Sequence, residues 1–580
     1  MTRKSDPNAR YNISIHKTNG FSYASTQVPF INEKTGKRAY KRVHWGTVTE
    51  DRKFIPGSTY LLAALEERSK LRFPDDWDLS EAKKLSGSRT KGRPSIEGQD
   101  ENRLYGDIWL LEQIAEETGL RSDLMSVFSG NQETVDALLT LAMFFLAGNG
   151  TYNHVKGWQK IVKTPSSTEL SASYITSLLQ SITDQNRMDL FRMRAKRVEK
   201  NEFCAVDSTS RSAYGDSLCD IQYGKNKDHL PLPQTLEVVV YTLEGHMPIY
   251  YRSFPGNIPD SRSLQTILND LDNAGMSNIV LITDRGYDTI KNLETYIVKD
   301  QPMIMAAKVG QEEIRKRVDQ FQTCDHHPEE MELDVEEGLY VKQFELEYQI
   351  ENQQKNVKRA KNLKLNLYFN PIRRCLELSY MNSEIIIQER RLKEILENQE
   401  TLDDEKSMKK NFSWFSLKTD EAGRTLVSYT RNEKKINRHK RDAGFFANFT
   451  QGLDLSPIEA HRHYKLRDEQ EKYFSMMKGT CRSDRQRNWS ESAKEGSRFV
   501  LFLAQVMGGY LSHARKTVLN SQFSSMSEVL DTMRPIRYIE HPHKQPFITP
   551  FVGKQVTICE AMKLEIPKGC SPEYILKKDE

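Results

Sequence analysis

The sequence predicts an α/β core interrupted by a large insertion, with a β-rich amino-terminal unit and helical flanking regions. Three observations predict it. Residues 203–210, FCAVDSTS, and 279–287, IVLITDRGY, are short apolar runs of the kind that form buried strands, and they carry Asp207 and Asp284 at their carboxyl ends. The apolar runs between and after them alternate with stretches of helical spacing. Far downstream, YKLRDEQEKYFSMMK at 464–478 sets Tyr464, Arg467, Glu471 and Lys478 at offsets that fall within one stripe of about 60° on a helix.

The core elements follow in order. LEVVVYT (236–242) and MPIYYRSF (247–254) are β-rich runs joined by a turn at Gly245, a hairpin pattern. A helix from Ser261 to Asn273, the strand IVLIT, a helix over Thr289–Lys299 and the strand PMIMAA (302–307) come next. Three strands, helix, strand, helix, strand and a final helix bearing Glu471 is a ribonuclease H-like order. It sets Asp207 and Asp284 side by side at the centre of the sheet, where the carboxyl ends of strands meet ligands in open α/β folds.

Alone, each part has a plainer explanation. An aspartate ending a strand is ordinarily a turn or cap residue, and a Tyr, Arg, Glu, Lys stripe is ordinarily a solvated face. Together, two strand-end aspartates and a helical glutamate flanked by phosphate-binding groups suit metal-dependent chemistry on a phosphodiester. Three carboxylates can hold two divalent cations about 3.5–4 Å apart, and an all-oxygen cage of this kind suits magnesium.

These motifs resemble the bacterial insertion-sequence transposases of the DDE class, in the subgroup with a Tyr-x2-Arg-x3-Glu-x6-Lys signature. Residues 464–478 match that spacing without a gap, and AVDST and TDRGY match the surroundings of the family's first two aspartates. DAGFFANFTQGLDLSPIEA at 442–460 is similar to the strand and helix start that lead into the signature. The resemblance implies cut-and-paste DNA transposition by strand cleavage and strand transfer at inverted-repeat ends, through a hairpin on the element's end. It implies Asp207, Asp284 and Glu471 as catalytic acids and ligands of two Mg2+ ions, with Mn2+ able to substitute. Tyr464, Arg467 and Lys478 would grip backbone phosphates. The implied partners are double-stranded DNA, both transposon ends and target, and a second copy of the chain as a homodimer. A nuclease of the same fold that cuts without joining, and a domesticated DNA-binding protein, are the alternative readings.

The expected organisation is a basic β-rich unit at 1–80 suited to DNA contact, a linker at 81–100, and a helical domain at 101–200. The first part of the core spans 201–309, an insertion 310–441, the second part with the signature helix 442–516, and a carboxyl-terminal region 517–580. Within the insertion the sequence suggests an acidic loop (329–337), a lysine-rich run (355–364), a helix around 383–397 and β-like runs at 411–418 and 425–430. Family members carry a β-rich insertion here, some with an aromatic residue that holds a flipped base. Trp414 is the candidate for that role, with a place in the core as the alternative.

The net charge of +4 argues little, but its distribution says more. Residues 1–45 hold nine Lys or Arg against Asp6 and Glu33, and RNEKKINRHKR at 431–441 is a second basic cluster. Such patches neutralise phosphates and release counterions, although solvated loops share the pattern. Lys91-Gly92-Arg93-Pro94 in the linker resembles the core of a minor-groove hook. LYGDIWLLEQIAEETGL (104–120) and VDALLTLAMFFLAGN (135–149) read as helices, the second buried all round; it and FVLFLAQVMGGYL (499–511) are too short to span a bilayer. The polar start of the chain has no secretory character, and seven cysteines without a Cys-x2-Cys pair suit reduced thiols and no structural zinc. A cytoplasmic protein acting at the bacterial nucleoid, with no membrane partner, is the expectation. No glycine-rich phosphate loop points to nucleotide hydrolysis.

Overall fold

A computed structural model describes residues 11–84, 101–568 and 570, except 19–20, 32–37, 149, 215–217, 323–326, 353–356, 401–407, 409, 421–424, 468–473, 475–477, 480–484, 486, 489, 521 and 541–544. The chain divides into two compact units, Met1–Gly98 and Gln99–Glu580.

The first unit is an antiparallel sheet of β1 (Ser14–Thr18), β2 (Phe21–Ile31), β3 (Arg38–Val48) and β4 (Phe54–Pro56), in that order. The turn-like 32–37 segment between β2 and β3 lies outside the described residues, as do Arg93 and the rest of the linker hook. Ala24, Trp45, Phe54 and Trp77 are buried in the unit's own core. The indole N–H of the buried Trp45 donates to Thr26 Oγ1 at 2.8 Å, so its polar atom is satisfied.

The second unit begins with helices α1 (Gly106–Glu117), α2 (Leu120–Val127), α3 (Gln132–Ala147), α4 (Ala172–Ser181) and α5 (Asp184–Ala195). The helix read in 104–120, with its end expected at Gly119, is α1, and the Gly119 φ of 66° is the left-handed turn that leads into α2. Residues Val135 to Leu146 of α3 are almost wholly buried, which explains their all-round apolarity.

A nine-stranded mixed sheet follows. In chain order its strands are β5 (Phe203–Ser212), β6 (Gln234–Thr242), β7 (Pro248–Pro255), β8 (Val280–Thr283), β9 (Met303–Ala307), β10 (Glu332–Asp334), β11 (Leu339–Asn352), β12 (Val357–Phe369) and β15 (Phe445–Gln451). Helices α6 (Asp260–Ala274) and α7 (Ile290–Lys299) intervene, and α8 (Pro371–Glu397), the hairpin β13 (Phe415–Thr419) with β14 (Leu426–Arg431), and α9 (Glu433–Asp442) precede β15. The spatial order is β7-β6-β5-β8-β9-β15-β12-β11-β10. Strands β5, β8 and β9 run parallel, and β6 joins β5 antiparallel. The burial of nearly every residue of β5, β6, β8 and β9 is what sheets covered on both faces require.

The region expected as an insertion differs from its sequence reading. The lysine-rich run at 355–364 enters β12, which pairs along β15 from Lys364↔Thr450 to Phe369↔Phe445 and extends the main sheet. Leu363, Leu365, Leu367 and Phe369 are buried among them. α8 starts at Pro371, twelve residues before the expected helix, because Asn370 caps it by accepting from the Arg373 N–H and Pro371 occupies the first turn. Of the expected strand at 411–418 only the part from Phe415 is extended. Phe412 is instead buried in a small core with Met381, Ile385, Leu392 and Ile436.

After β15 comes α10 (Pro457–Leu466), started by a Ser456–Glu459 capping box with Pro457 in its first turn. The 27-residue α11 (Glu491–Thr517) is buried along most of its length and packs against α3 and α4. A Cβ at Gly496 would lie 2.0 Å from the Leu179 carbonyl oxygen, so only glycine permits this approach of α11 to α4. Arg498 on α11 forms a buried ion pair with Glu237 on β6, and Arg211 on β5 stands 3.9 Å from the same carboxylate. That triad ties the strand carrying Asp207 to the helix behind it. No single helix among the described residues is long and apolar enough to cross a membrane.

Candidate active site

Strands β5 and β8 pair in parallel with Val206 opposite Thr283. Asp207 and Asp284 are each the next residue, so one register step sets the two carboxylates side by side; Asp284 follows the end of β8 as expected, whereas Asp207 lies within β5, whose pairing with β6 carries it on to Ser212. Asp207 is 8% exposed. Burial pushes its carboxyl above the ordinary carboxylate range, and the Asp284 charge pushes the same way, against Lys227 and Arg467. Asp284 Oδ1 accepts the Gly286 N–H at 2.6 Å, folding the TDRGY segment into a tight turn.

Arg467 caps the carboxyl end of α10. Its Nη1 lies 3.9 Å from Asp207 Oδ2 and 3.6 Å from Asp284 Oδ2. Its guanidinium carbon is 5.3 Å from the centre of the Tyr464 ring, one turn earlier. Burial raises the Tyr464 hydroxyl above its usual range; Arg467 opposes this while Asp284 adds to it. The structure therefore brings Asp207, Asp284, Tyr464 and Arg467 together. Lys478 is bound elsewhere, its Nζ 2.5 Å from Asp228 Oδ1. Glu471 lies outside the described residues.

Two residues that sequence reasoning missed complete the pocket. Lys227 Nζ donates to Ser208 O at 2.7 Å and Ser208 Oγ at 2.5 Å, and stands 3.5 Å from Asp207 and 3.3 Å from Asp260. Asp260, the first residue of α6, accepts from Ser208 Oγ at 2.6 Å. In the sequence Asp260 reads as an ordinary acid at a helix start, and Lys227 sits in a loop without periodicity, so neither carried a signal. Beside the aspartates opens a cleft of about 370 Å3 lined by Arg285, Phe446, His461, Tyr464, Lys465 and Arg373.

The oxygen donors suit a hard divalent cation. Among the described residues no three His, Cys, Asp or Glu side chains converge as a metal-binding group. Two carboxylates do converge, and a cationic nitrogen is already drawn between them. A Cβ built on Gly286 would come within 2.8 Å of Asp284 Oδ1 and 3.2 Å of Asp260 Oδ2, so a glycine leaves open the space that a side chain would fill. The set is open and all-oxygen, as magnesium sites that also bind phosphate oxygens are.

Trp414 packs at the edge of the small core of α8, with Lys435 Nζ 4.5 Å from its ring centre and His439 edge-on at 5.3 Å.

Asp207, in the middle of β5, and Asp284, just past the end of β8, meet at one guanidinium beside a cleft whose lining includes Arg285, Arg373, Lys465 and Glu337. The family model for the transposase DDE domain matches residues 199–507, more than half of the chain, and the chain belongs to that family. A solved piggyBac transposase synaptic complex with hairpin DNA is similar at 8% identity and a TM-score of 0.32, covering 84% of this chain and 83% of that one. A likeness this loose fixes neither fold nor function. No curated protein matches the chain.

Proposed function

We propose that this protein is a metal-dependent DDE transposase with a ribonuclease H-like core, in which residues 310–441 form the insertion and Asp207, Asp284 and Glu471 are the catalytic acids. The observation that carries the reading is the pairing of Asp207 and Asp284 on adjacent parallel strands around one cationic group. Membership of the transposase family supports the same reading.

Asp207, Asp284 and Glu471 would hold two Mg2+ ions, or Mn2+, which supply Lewis-acid activation of the attacking oxygen and charge neutralisation at the leaving one. The protein's own part is positional. The buried wall around Asp207 excludes water and keeps its carboxylate in one orientation. Lys227 and Ser208 fix the side of the pocket facing Asp260. Tyr464, Arg467 and Lys478 bind backbone phosphates; arginine supplies a planar fork and lysine a point charge. The cleft lined by Arg285, Arg373 and Lys465, with Glu337 paired to Lys465 and Glu377 to Arg373, gives the strand a path away from the aspartates.

The substrates in this reading are inverted-repeat ends and target duplex, held by a homodimer in the bacterial cytoplasm, with excision through a hairpin on the element's end. A strand-transfer assay with a pre-cleaved end tests it. Joining that requires Mg2+ or Mn2+ supports a transposase; cutting without joining contradicts it and favours a nuclease.

A further inference from the structure

We propose that the protein masks its own phosphate-binding cations: the carboxylates of Glu336 and Glu337 at a hairpin tip, and of Asp228 in a loop, hold Arg462, Lys465 and Lys478 until DNA displaces them. The proposal rests on the reading of the chain as a DNA transposase and assigns a brake to that site.

The acidic run at 329–337 ends in a tight hairpin. Asp334 pairs with Leu339 across β10 and β11, the Glu337 N–H donates to Asp334 Oδ1 at 2.8 Å, and Gly338 turns with a left-handed φ of 63°. Both glutamates of this tip reach α10, far downstream in the chain. Arg462 donates to Glu336 at 2.6 Å and to Glu337 at 3.2 Å, and Lys465 donates to Glu337 at 2.9 Å. Lys465, and Arg462 after it, hold the Glu337 carboxyl below its ordinary range, so it is charged at neutral pH. Lys465 and Glu337 line the cleft that opens beside Tyr464.

The third carboxylate is presented by an equally fixed loop between β5 and β6. Asn226 Nδ2 donates to Ser212 Oγ at 3.0 Å, the Lys227 N–H to Ser210 Oγ at 2.9 Å and the Asp228 N–H to Asn226 Oδ1 at 2.8 Å. Lys227 anchors the same loop at Ser208. Asp228, held in this way, accepts from Lys478 Nζ at 2.5 Å. Two loops from separate parts of the chain thus converge on cations of the 462–478 stretch.

Folding gains little from such pairs. Ion pairs between partly exposed side chains contribute weakly to stability, and Glu336 is 82% exposed. Their effect falls on binding. A carboxylate and a phosphate compete for the same N–H donors, so each contact to DNA requires an internal one to break. A duplex that meets one of these cations gains little by the exchange. One that engages all three together releases the counterions that make opening favourable.

The test is fluorescence anisotropy of the full chain with a fluorescein-labelled DNA duplex of mixed sequence, without divalent metal, so that binding is read apart from cutting. Asp228→Asn is expected to bind about threefold more tightly, and Glu336→Gln/Glu337→Gln about fivefold. The amides keep the size of the acids, and circular dichroism melting establishes that each variant is folded. The gain vanishes where the masked cation is absent: Asp228→Asn adds nothing in a Lys478→Gln background, and Glu336→Gln/Glu337→Gln adds nothing in an Arg462→Gln/Lys465→Gln background. Unchanged or weaker binding by the carboxylate variants overturns the mask. So does an equal gain in both backgrounds, which is the mark of general charge repulsion. If the wild type binds the duplex and cuts it with Mg2+ while the variants gain nothing, only the mask falls. If neither the wild type nor any variant binds, the transposase reading falls with it.

Discussion

Asp207 and Asp284 sit one register step beyond the Val206↔Thr283 pair of two parallel strands, and a single guanidinium nitrogen of Arg467 lies 3.9 Å from one carboxylate and 3.6 Å from the other. Two acids drawn to one guanidinium, one of them buried, hold negative charge that a cation or a proton relieves. Asp207→Asn, Asp284→Asn and Glu471→Gln should therefore each lower DNA cutting by roughly a thousandfold while leaving DNA binding intact. A gel-based nicking assay with parallel binding isotherms checks this, and substantial residual cutting by one variant removes that acid from the site.

In the proposed reading Asp260 and Lys227 act on the reaction through Ser208 and Asp207. Their polar links to Ser208 hold the wall of the pocket, so Asp260→Asn and Lys227→Ala should each raise the Mg2+ concentration for half-maximal cutting about tenfold, the usual cost of losing a partner of a metal ligand. An unchanged Mg2+ requirement in both variants would assign these residues to folding alone.

Gly286 gives a steric version of the same test. An added methyl group would reach 2.8 Å from Asp284 Oδ1, closer than real side chains approach, and the carboxylate would have to move. Gly286→Ala is expected to leave the thermal midpoint within a few degrees of wild type and to lower cutting about a hundredfold. Full activity would mean that the Asp284 carboxylate has no fixed working position.

How much of this was legible in the sequence depends on how local each signal is. FCAVD and IVLITD announce buried strands because nearly every residue faces a core, and the aspartates stand out against that background, although β5 runs on past Asp207 to Ser212. Strand β12 reads in sequence as a lysine-rich run even though Leu363, Leu365 and Leu367 alternate within it. Its partner β15 lies about eighty residues downstream, and no local pattern encodes that pairing. Asp260 and Lys227 were invisible for the same reason: their meaning comes from meeting Ser208 across the fold.

The Arg211, Glu237 and Arg498 cluster bears on stability alone. Glu237 is 2% exposed and faces two arginines, so Glu237→Gln leaves buried cations without their counter-charge. Urea unfolding should register a loss of about 3–5 kcal/mol. A loss below about 1 kcal/mol would mean that the cluster is hydrated or repacks.

The most direct test of the central claim maps the bound ion on the polypeptide. Fe2+ substituted for Mg2+, with ascorbate and peroxide, cuts the backbone next to its ligands. The account predicts fragments ending near residues 207, 284 and 471, all of them lost in the Asp207→Asn variant. Cuts elsewhere, or the same cuts in that variant, would contradict a metal centre shared by Asp207 and Asp284.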